Sequence, residues 1–185
     1  MDIEAVYRQY YKNVYNYIAF RISNPFDAEE LASAVFENAL RSFRTYKPTL
    51  APMEAWLIGI AKNAVTDYLR GKKHVRLVPL EDAAGLASTQ KQPEEAAIVN
   101  DESAALLRAM ERLNDRERQV LSMKFATDLK HHEIAALMRI SESNVGVLTY
   151  RAIRKLRKIL GEERAFHEEE PPATSRRVHR RMQTD

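Results

Sequence analysis

The sequence predicts an all-α fold: two small helical domains joined by a flexible linker. Three observations carry this. Five Gly and seven Pro in 185 residues are too few for the repeated turns of a strand architecture. Apolar residues recur at steps of three and four over several long stretches, the spacing that winds them onto one stripe of a helix. Charge is divided into blocks: ten basic against eight acidic side chains over 1–73, two against six over 74–104, twelve against six over 105–160, and five against six over 161–185. Two basic blocks joined by an acidic connector point to two modules acting on one polyanion.

Composition also excludes several function classes. With no Cys there is neither a disulfide framework nor a thiolate metal site, and a reducing, cytoplasmic habitat is expected. No apolar run approaches the roughly 20 residues of a membrane span, and the start MDIEAVYRQYY lacks the basic-then-apolar order of a secretion signal, so no membrane insertion is expected. His131 and His132 diverge by about 100° on a helix and lack the HExxH spacing. No metal, cofactor or catalytic group is expected.

The opening stretch 4–22 carries Tyr7, Tyr10, Tyr11, Val14, Tyr17 and Ile18 at helical spacing, read as a packing stripe with hydroxyls at its rim. Ser23-Asn24-Pro25 breaks it, and Asp27 is read as the cap of a second helix. There Leu31, Val35, Ala39, Leu40 and Phe43 face a core, while Asp27, Glu30 and Glu37 form an acidic edge suited to a basic protein surface. The loop SFRTYKPTLAP (42–52) sets Phe43, Arg44 and Tyr46 just before the next helix. Flat faces and a guanidinium are what an unstacked base requires.

The helix over Glu54–Lys73 is the centre of the chain. Leu57, Ile60, Ala61, Ala64, Tyr68 and Leu69 make its apolar stripe, and Lys62, Asn63, Thr66, Arg70 and Lys73 a donor-rich flank for phosphates and bases. Acidic and small residues without periodicity then predict a flexible linker over 74–93. Helix resumes near Glu94, running to about Arg112 with Ile98, Leu106, Ala109, Met110 and Leu113 turned inward. Asn114 and Glu117 form a capping box ahead of Val120, Leu121, Met123 and Phe125. Over 131–160 a short helix, a turn plugged by Ile140 and a longer helix capped by Ser143 or Ser141 have helix-turn-helix spacing. Val145, Leu148, Ala152, Leu156 and Ile159 form the inner stripe of the longer helix. Ser143, Asn144, Val147, Tyr150, Arg151, Arg154 and Lys155 are placed to meet a major groove. The segment 161–185, with its acidic cluster, two prolines and Arg doublets, is read as a disordered tail.

The successive segments DAEELASAVFENAL (27–40), AWLIGIAKNAVTDYLRGKK (55–73), LNDRERQVLSMKF (113–125) and EIAALMRISESNVGVLTYRAIRKLR (133–157) resemble, in order, those of bacterial RNA polymerase sigma factors of the extracytoplasmic-function (ECF) type. The resemblance implies a region 2 helical bundle over 1–73 and a region 4 helix-turn-helix domain over 94–160. It implies that Asp27, Glu30, Phe36 and Glu37 meet core RNA polymerase. Phe43, Arg44, Tyr46, Lys62, Asn63, Thr66, Arg70 and Lys73 would read the minus-ten element as melted non-template DNA. Ser143, Asn144, Val147, Tyr150, Arg151, Arg154 and Lys155 would read the double-stranded minus-thirty-five element. An anti-sigma factor is implied as a further partner.

This chain departs from the commoner pattern at two places. Gly146, Val147 and Leu148 stand where many relatives carry a basic residue, Ser and Arg, which shifts the expected readout to Tyr150, Arg151 and phosphate contacts. Lys130 stands where relatives often have a Ser cap. A stand-alone helix-turn-helix regulator is the alternative reading, but it leaves the acidic edge without a purpose. A small helical enzyme is disfavoured by the missing Cys and the missing Gly-rich phosphate loop.

Overall fold

The computed structural model describes residues 3–22, 24–77 and 101–168, with side chains over 4–22, 24–71 and 103–162. Seven α-helices make up the described residues: α1 (Ile3–Ile22), α2 (Pro25–Ser42), α3 (Met53–Leu77), α4 (Asp101–Glu111), α5 (Asp115–Ala126), α6 (His131–Met138) and α7 (Glu142–Glu168). A single 3-10 turn, Phe43–Thr45, follows α2.

The first three helices pack on one another, and α4–α7 form a second set in which α7 lies on α4, α5 and α6. In the first set Val14, Tyr17, Ile18, Ala28, Ala32, Val35, Leu57, Ile58, Ala61 and Val65 are buried. The alanines of α2 let its backbone approach α1 and α3 closely, and each fully buried Leu, Ile or Val contributes about 1.5–3 kcal/mol. The inner face of α3 is therefore rotated from the predicted stripe, with Ile58 and Val65 at its centre and Ile60, Ala64 and Leu69 at the rim. Leu40 and Phe125, expected inside, are 58% and 62% exposed.

Helix ends also differ from expectation. Asn24, not Asp27, caps α2: its Oδ1 accepts from the Phe26 and Asp27 amides at 3.0 and 3.3 Å, and Pro25 fills the first turn, where a missing N–H is harmless. The Asn114–Glu117 capping box of α5 forms in both directions. At α6 only half a box is built. The Glu133 carboxylate accepts from the Lys130 amide at 2.6 Å, while Lys130 has no side-chain oxygen to return the bond. The turn after α6 places Arg139 in the left-handed region (φ 54°, ψ 51°), and the Ile140 amide closes back on the Ala135 carbonyl at 3.1 Å. Ser141 caps α7, its Oγ accepting from the Asn144 amide at 3.3 Å and bonded to Ser143 Oγ at 3.0 Å.

Two boundaries move. α3 runs to Leu77, so the first residues of the predicted linker are helical, and residues 78–93 lie outside the described ones, as does Ile98. α7 runs to Glu168, which corrects the tail reading for its first eight residues. Gly161 lies within the helix, and Glu162 next to it is 3.8 Å from Lys158 one turn back and 3.9 Å from Arg112 of the neighbouring loop. Residues 169–185 lie outside the described ones.

The two helix sets share one face. α1 packs against α5 and α3 against α6. Arg21, 4% exposed at the end of α1, donates to Asp115 Oδ1 at 2.7 Å and to the Asp115 carbonyl at 3.1 Å. Arg118 donates to the Arg21 carbonyl at 3.3 Å and to the Met110 carbonyl at 2.8 Å, and also to the Glu111 carbonyl. Burial, and then the neighbouring Arg21 charge, lower the Arg118 pKa. Glu54, 7% exposed in the first turn of α3, accepts from Asn13 Nδ2 at 2.7 Å and from the Asp128 amide at 3.2 Å.

Candidate nucleic-acid interface

Three surfaces carry the residues singled out in the sequence. On α2, Phe26, Glu30, Ser33, Glu37 and Leu40 are all exposed and follow at steps of four, three, four and three, so they share one face. Two carboxylates flanked by two exposed apolar side chains make an edge with both charge and contact area for a basic protein surface. Glu37 also pairs with Arg41 at 3.4 Å. The other two residues assigned to this edge are set differently. Asp27 is half-buried and accepts from the Tyr68 hydroxyl of α3. Phe36 is 7% exposed, its ring 4.8 Å from Tyr7 and 6.0 Å from Tyr11, so it props α2 from beneath. The missed members, Phe26 and Leu40, were signalled by the same spacing, but apolar side chains on an amphipathic helix read first as core.

The second surface joins the turn after α2 to α3. Phe43, Tyr46 and Trp56 cluster, with ring centroids 5.1–6.3 Å apart, and the Tyr46 hydroxyl donates to the Ala51 carbonyl at 3.2 Å. Trp56, the lone Trp of the chain, is thus the base of an aromatic platform that the sequence reading left out. Arg44 is exposed beside it, and Asn63 is exposed two turns along α3. Trp56, Ile60, Lys62 and Asn63 of α3 border a cleft of about 570 Å³, which Glu133 and Arg139 also line. A stacking face next to an amide and an ammonium suits a single unpaired base and its phosphate.

Not every donor on that flank is free. Lys62 Nζ donates to the Leu137 carbonyl of α6 at 2.8 Å, and Thr66 Oγ1 donates within its own helix to the Lys62 carbonyl at 2.7 Å. Arg70 is exposed and 3.7 Å from Asp67. Lys73 lies on α3 with its side chain outside the described residues.

The third surface is the start of α7. Ser143, Asn144, Val147, Tyr150, Arg151 and Arg154 are all exposed, with Val147 at 45% and Tyr150 at 68%. Val145, Ala152 and Ile159 are buried on the opposite side against α5 and α6. A Cβ at Gly146 would meet nothing within 4 Å, so no packing demands glycine there. Lys155 differs from its neighbours, being 3.1 Å from Glu117 of α5, so its charge is already matched within the domain. His131 and His132 are both exposed.

Residues 6–75 match the family described as Sigma-70 region 2, and residues 103–156 that described as Sigma-70, region 4. The chain belongs to the ECF-type RNA polymerase sigma factors. It is 31% identical over 158 residues to the ECF RNA polymerase sigma factor BldN of Streptomyces coelicolor, covering 85% of this chain and 60% of that protein. It is 28% identical to the RNA polymerase sigma factor YlaC of Bacillus subtilis, covering 88% and 94% of the two chains. Among solved structures, the sigma factor RpoE of Bartonella quintana, crystallised with the anti-sigma factor NepR, shares the fold (TM-score 0.69, 15% identity, 85% of this chain and 96% of that one). CnrH, in complex with the cytosolic domain of CnrY, does likewise (TM-score 0.63, 19% identity, 87% and 88%).

The sigma factor's two family segments coincide with the two helix sets, α1–α3 and α4–α7. Among the described residues no helix is long and apolar enough to cross a membrane.

Proposed function

We propose that the three surfaces divide the work of promoter recognition. The exposed face of α2, centred on Glu30 and Glu37, docks on a basic surface of core RNA polymerase, with Phe26 and Leu40 adding apolar contact and with Asp27 and Phe36 holding the helix in place. The platform of Phe43, Tyr46 and Trp56, with Arg44, Lys62, Asn63, Arg70 and Lys73, receives the melted non-template strand of the minus-ten element. Extruding a base costs a few kcal/mol, which stacking and hydrogen bonds in the pocket offset. The start of α7 enters the major groove of the minus-thirty-five element. There Asn144, Tyr150 and Arg151 meet base edges, and Ser143, Val147, Arg154 and Lys155 meet the backbone or lie at the margin.

In this reading residues 1–73 and 94–160 are the two functional domains, 74–93 is their linker, and 161–185 is a tail outside both. Tethering two weak DNA readers to one polymerase raises their joint affinity by about 10²–10⁴. The protein makes and breaks no covalent bond and acts in the cytoplasm. An anti-sigma factor is expected as a partner, since the structurally similar RpoE of Bartonella quintana was crystallised with the anti-sigma factor NepR.

One observation carries the reading: a carboxylate-bearing face on α2 accompanies two separate donor-rich faces on α3 and α7. A stand-alone DNA-binding regulator has no use for the first. Reversing Glu30→Lys with Glu37→Lys is expected to weaken binding to immobilised core polymerase at least about tenfold, while Arg151→Ala leaves it unchanged. Equal retention of the charge-reversed protein would contradict the assignment.

A further inference from the structure

Arg139 is the one residue other than glycine with a positive φ among the described residues (φ 54°, ψ 51°). In that left-handed region a Cβ crowds the following carbonyl oxygen, so such positions favour Gly or Asn. The chain does the reverse. Gly146 and Gly161 stand inside α7, where a Cβ would meet nothing within 4 Å, while the turn that suits glycine carries a long cationic side chain. The turn itself is held by the backbone, through the Arg139 amide on the Ala136 carbonyl at 3.3 Å and the Ile140 amide on the Ala135 carbonyl at 3.1 Å. A backbone outlier whose side chain the fold does not use points to a task for that side chain.

Arg139 is exposed, and its guanidinium has no hydrogen bond or ion pair with any of the described residues. It stands in the turn between α6 and α7, five positions before Asn144, and Ser141, Ser143 and Asn144 are exposed with it. In a helix-turn-helix the first helix crosses the DNA backbone while the second enters the major groove. The turn that joins them therefore lies at the edge of the groove, where phosphates run. No Lys or Arg occurs between Arg139 and Arg151, and Glu142 is acidic. At the leading end of the reading helix the cation comes from the turn.

We propose that Arg139 anchors the minus-thirty-five duplex by a phosphate at the rim of the groove, fixing the register of α7 without a sequence preference of its own. A planar guanidinium can hold a phosphate through two N–H groups at once. This use of Arg139 rests on the assignment of α7 as the reader of the upstream element. Arg139 also lines the cleft beside Trp56 and Asn63, so a contact with the unpaired minus-ten strand is the rival use.

The test uses the full chain bound to core polymerase. The unmutated holoenzyme first selects duplexes from a library randomised over the upstream element. Holoenzymes carrying Arg139→Asn, Arg139→Lys or Arg151→Ala are then titrated with the selected duplexes at several salt concentrations, and each free chain is melted. Asn suits the left-handed backbone, so Arg139→Asn is expected to unfold no earlier than its parent. It should bind every selected duplex about fivefold more weakly, with a slope of log K against log salt about 0.9 shallower. Arg139→Lys should keep the slope. The anchor would be overturned by an Arg139→Asn chain that unfolds earlier, or by duplex affinity and slope that do not change. A loss confined to some sequences, or seen on random single-stranded 12-mers and not on duplexes, would overturn it too. Weaker binding of Arg151→Ala beside an unaffected Arg139→Asn sinks the anchor alone, whereas failure to select any duplex contradicts the sigma reading along with it.

Discussion

Tyr17 lies fully buried in α1 with no hydrogen-bond partner for its hydroxyl among the described residues. Burial pushes its pKa up to about 12; the Arg21 charge acts against this and Asp115 adds to it. Below pH 10 folded and unfolded chains both keep the phenolic proton. Between about 10 and 12 the unfolded chain releases it while the folded chain holds it, so stability falls as pH rises, by about 1.4 kcal/mol per pH unit for this group. Tyr17→Phe removes the titrating hydroxyl beside Arg21 and is expected to keep stability at neutral pH within about 1 kcal/mol of the parent. It should also flatten the alkaline slope measured by urea unfolding. A lower stability with an unchanged slope would contradict this. Tyr17 was legible as a core residue from its spacing. Arg21 and Glu54 were not, because a lone charged side chain reads as solvated until a partner distant in sequence is known.

α7 shows what a helix pattern conveys and what it leaves out. Its inner stripe of Val145, Ala152 and Ile159 follows from a 3.6-residue period, and the exposed face over 143–154 follows as its complement. Its C-terminal end does not follow, because the apolar period gives out after Leu160 and Gly161 reads as a stop, whereas the helix continues to Glu168. The start of α2 was misplaced for a simpler reason: Asn24 and Asp27 are both good caps, and only the backbone at Asn24 (φ −100°, ψ 111°) decides between them. Gly146 and Val147 bring no side-chain donor to α7, so the proposed reading assigns upstream discrimination to Tyr150 and Arg151. In the polymerase complex, Arg151→Ala is expected to cost about 1–3 kcal/mol of promoter affinity. Val147→Ala should change it by less than about 0.5 kcal/mol. Titrating both across duplexes varied in the upstream element checks this, and an Arg151→Ala protein that binds every duplex like its parent would refute it.

At the scale of the molecule, the division of charge along the chain announced two DNA-facing units, and the two Sigma-70 family segments fall on the two basic blocks. The packing of α1 on α5 and α3 on α6 was hidden, since it rests on contacts such as Arg21–Asp115 and Lys62–Leu137 that join residues far apart in sequence. Those contacts set α6 beside the cleft that Trp56 and Asn63 border, while the acidic face of α2 and the start of α7 stay exposed. Promoter-directed initiation is the central claim, and it has a direct measurement. Core RNA polymerase is mixed with this chain on a randomised promoter library, and the transcripts are sequenced. The account predicts start sites absent with core alone, preceded by two short sequence elements, with the downstream one lost in Asn63→Ala combined with Trp56→Ala. Transcripts indistinguishable from those of core polymerase alone would contradict it.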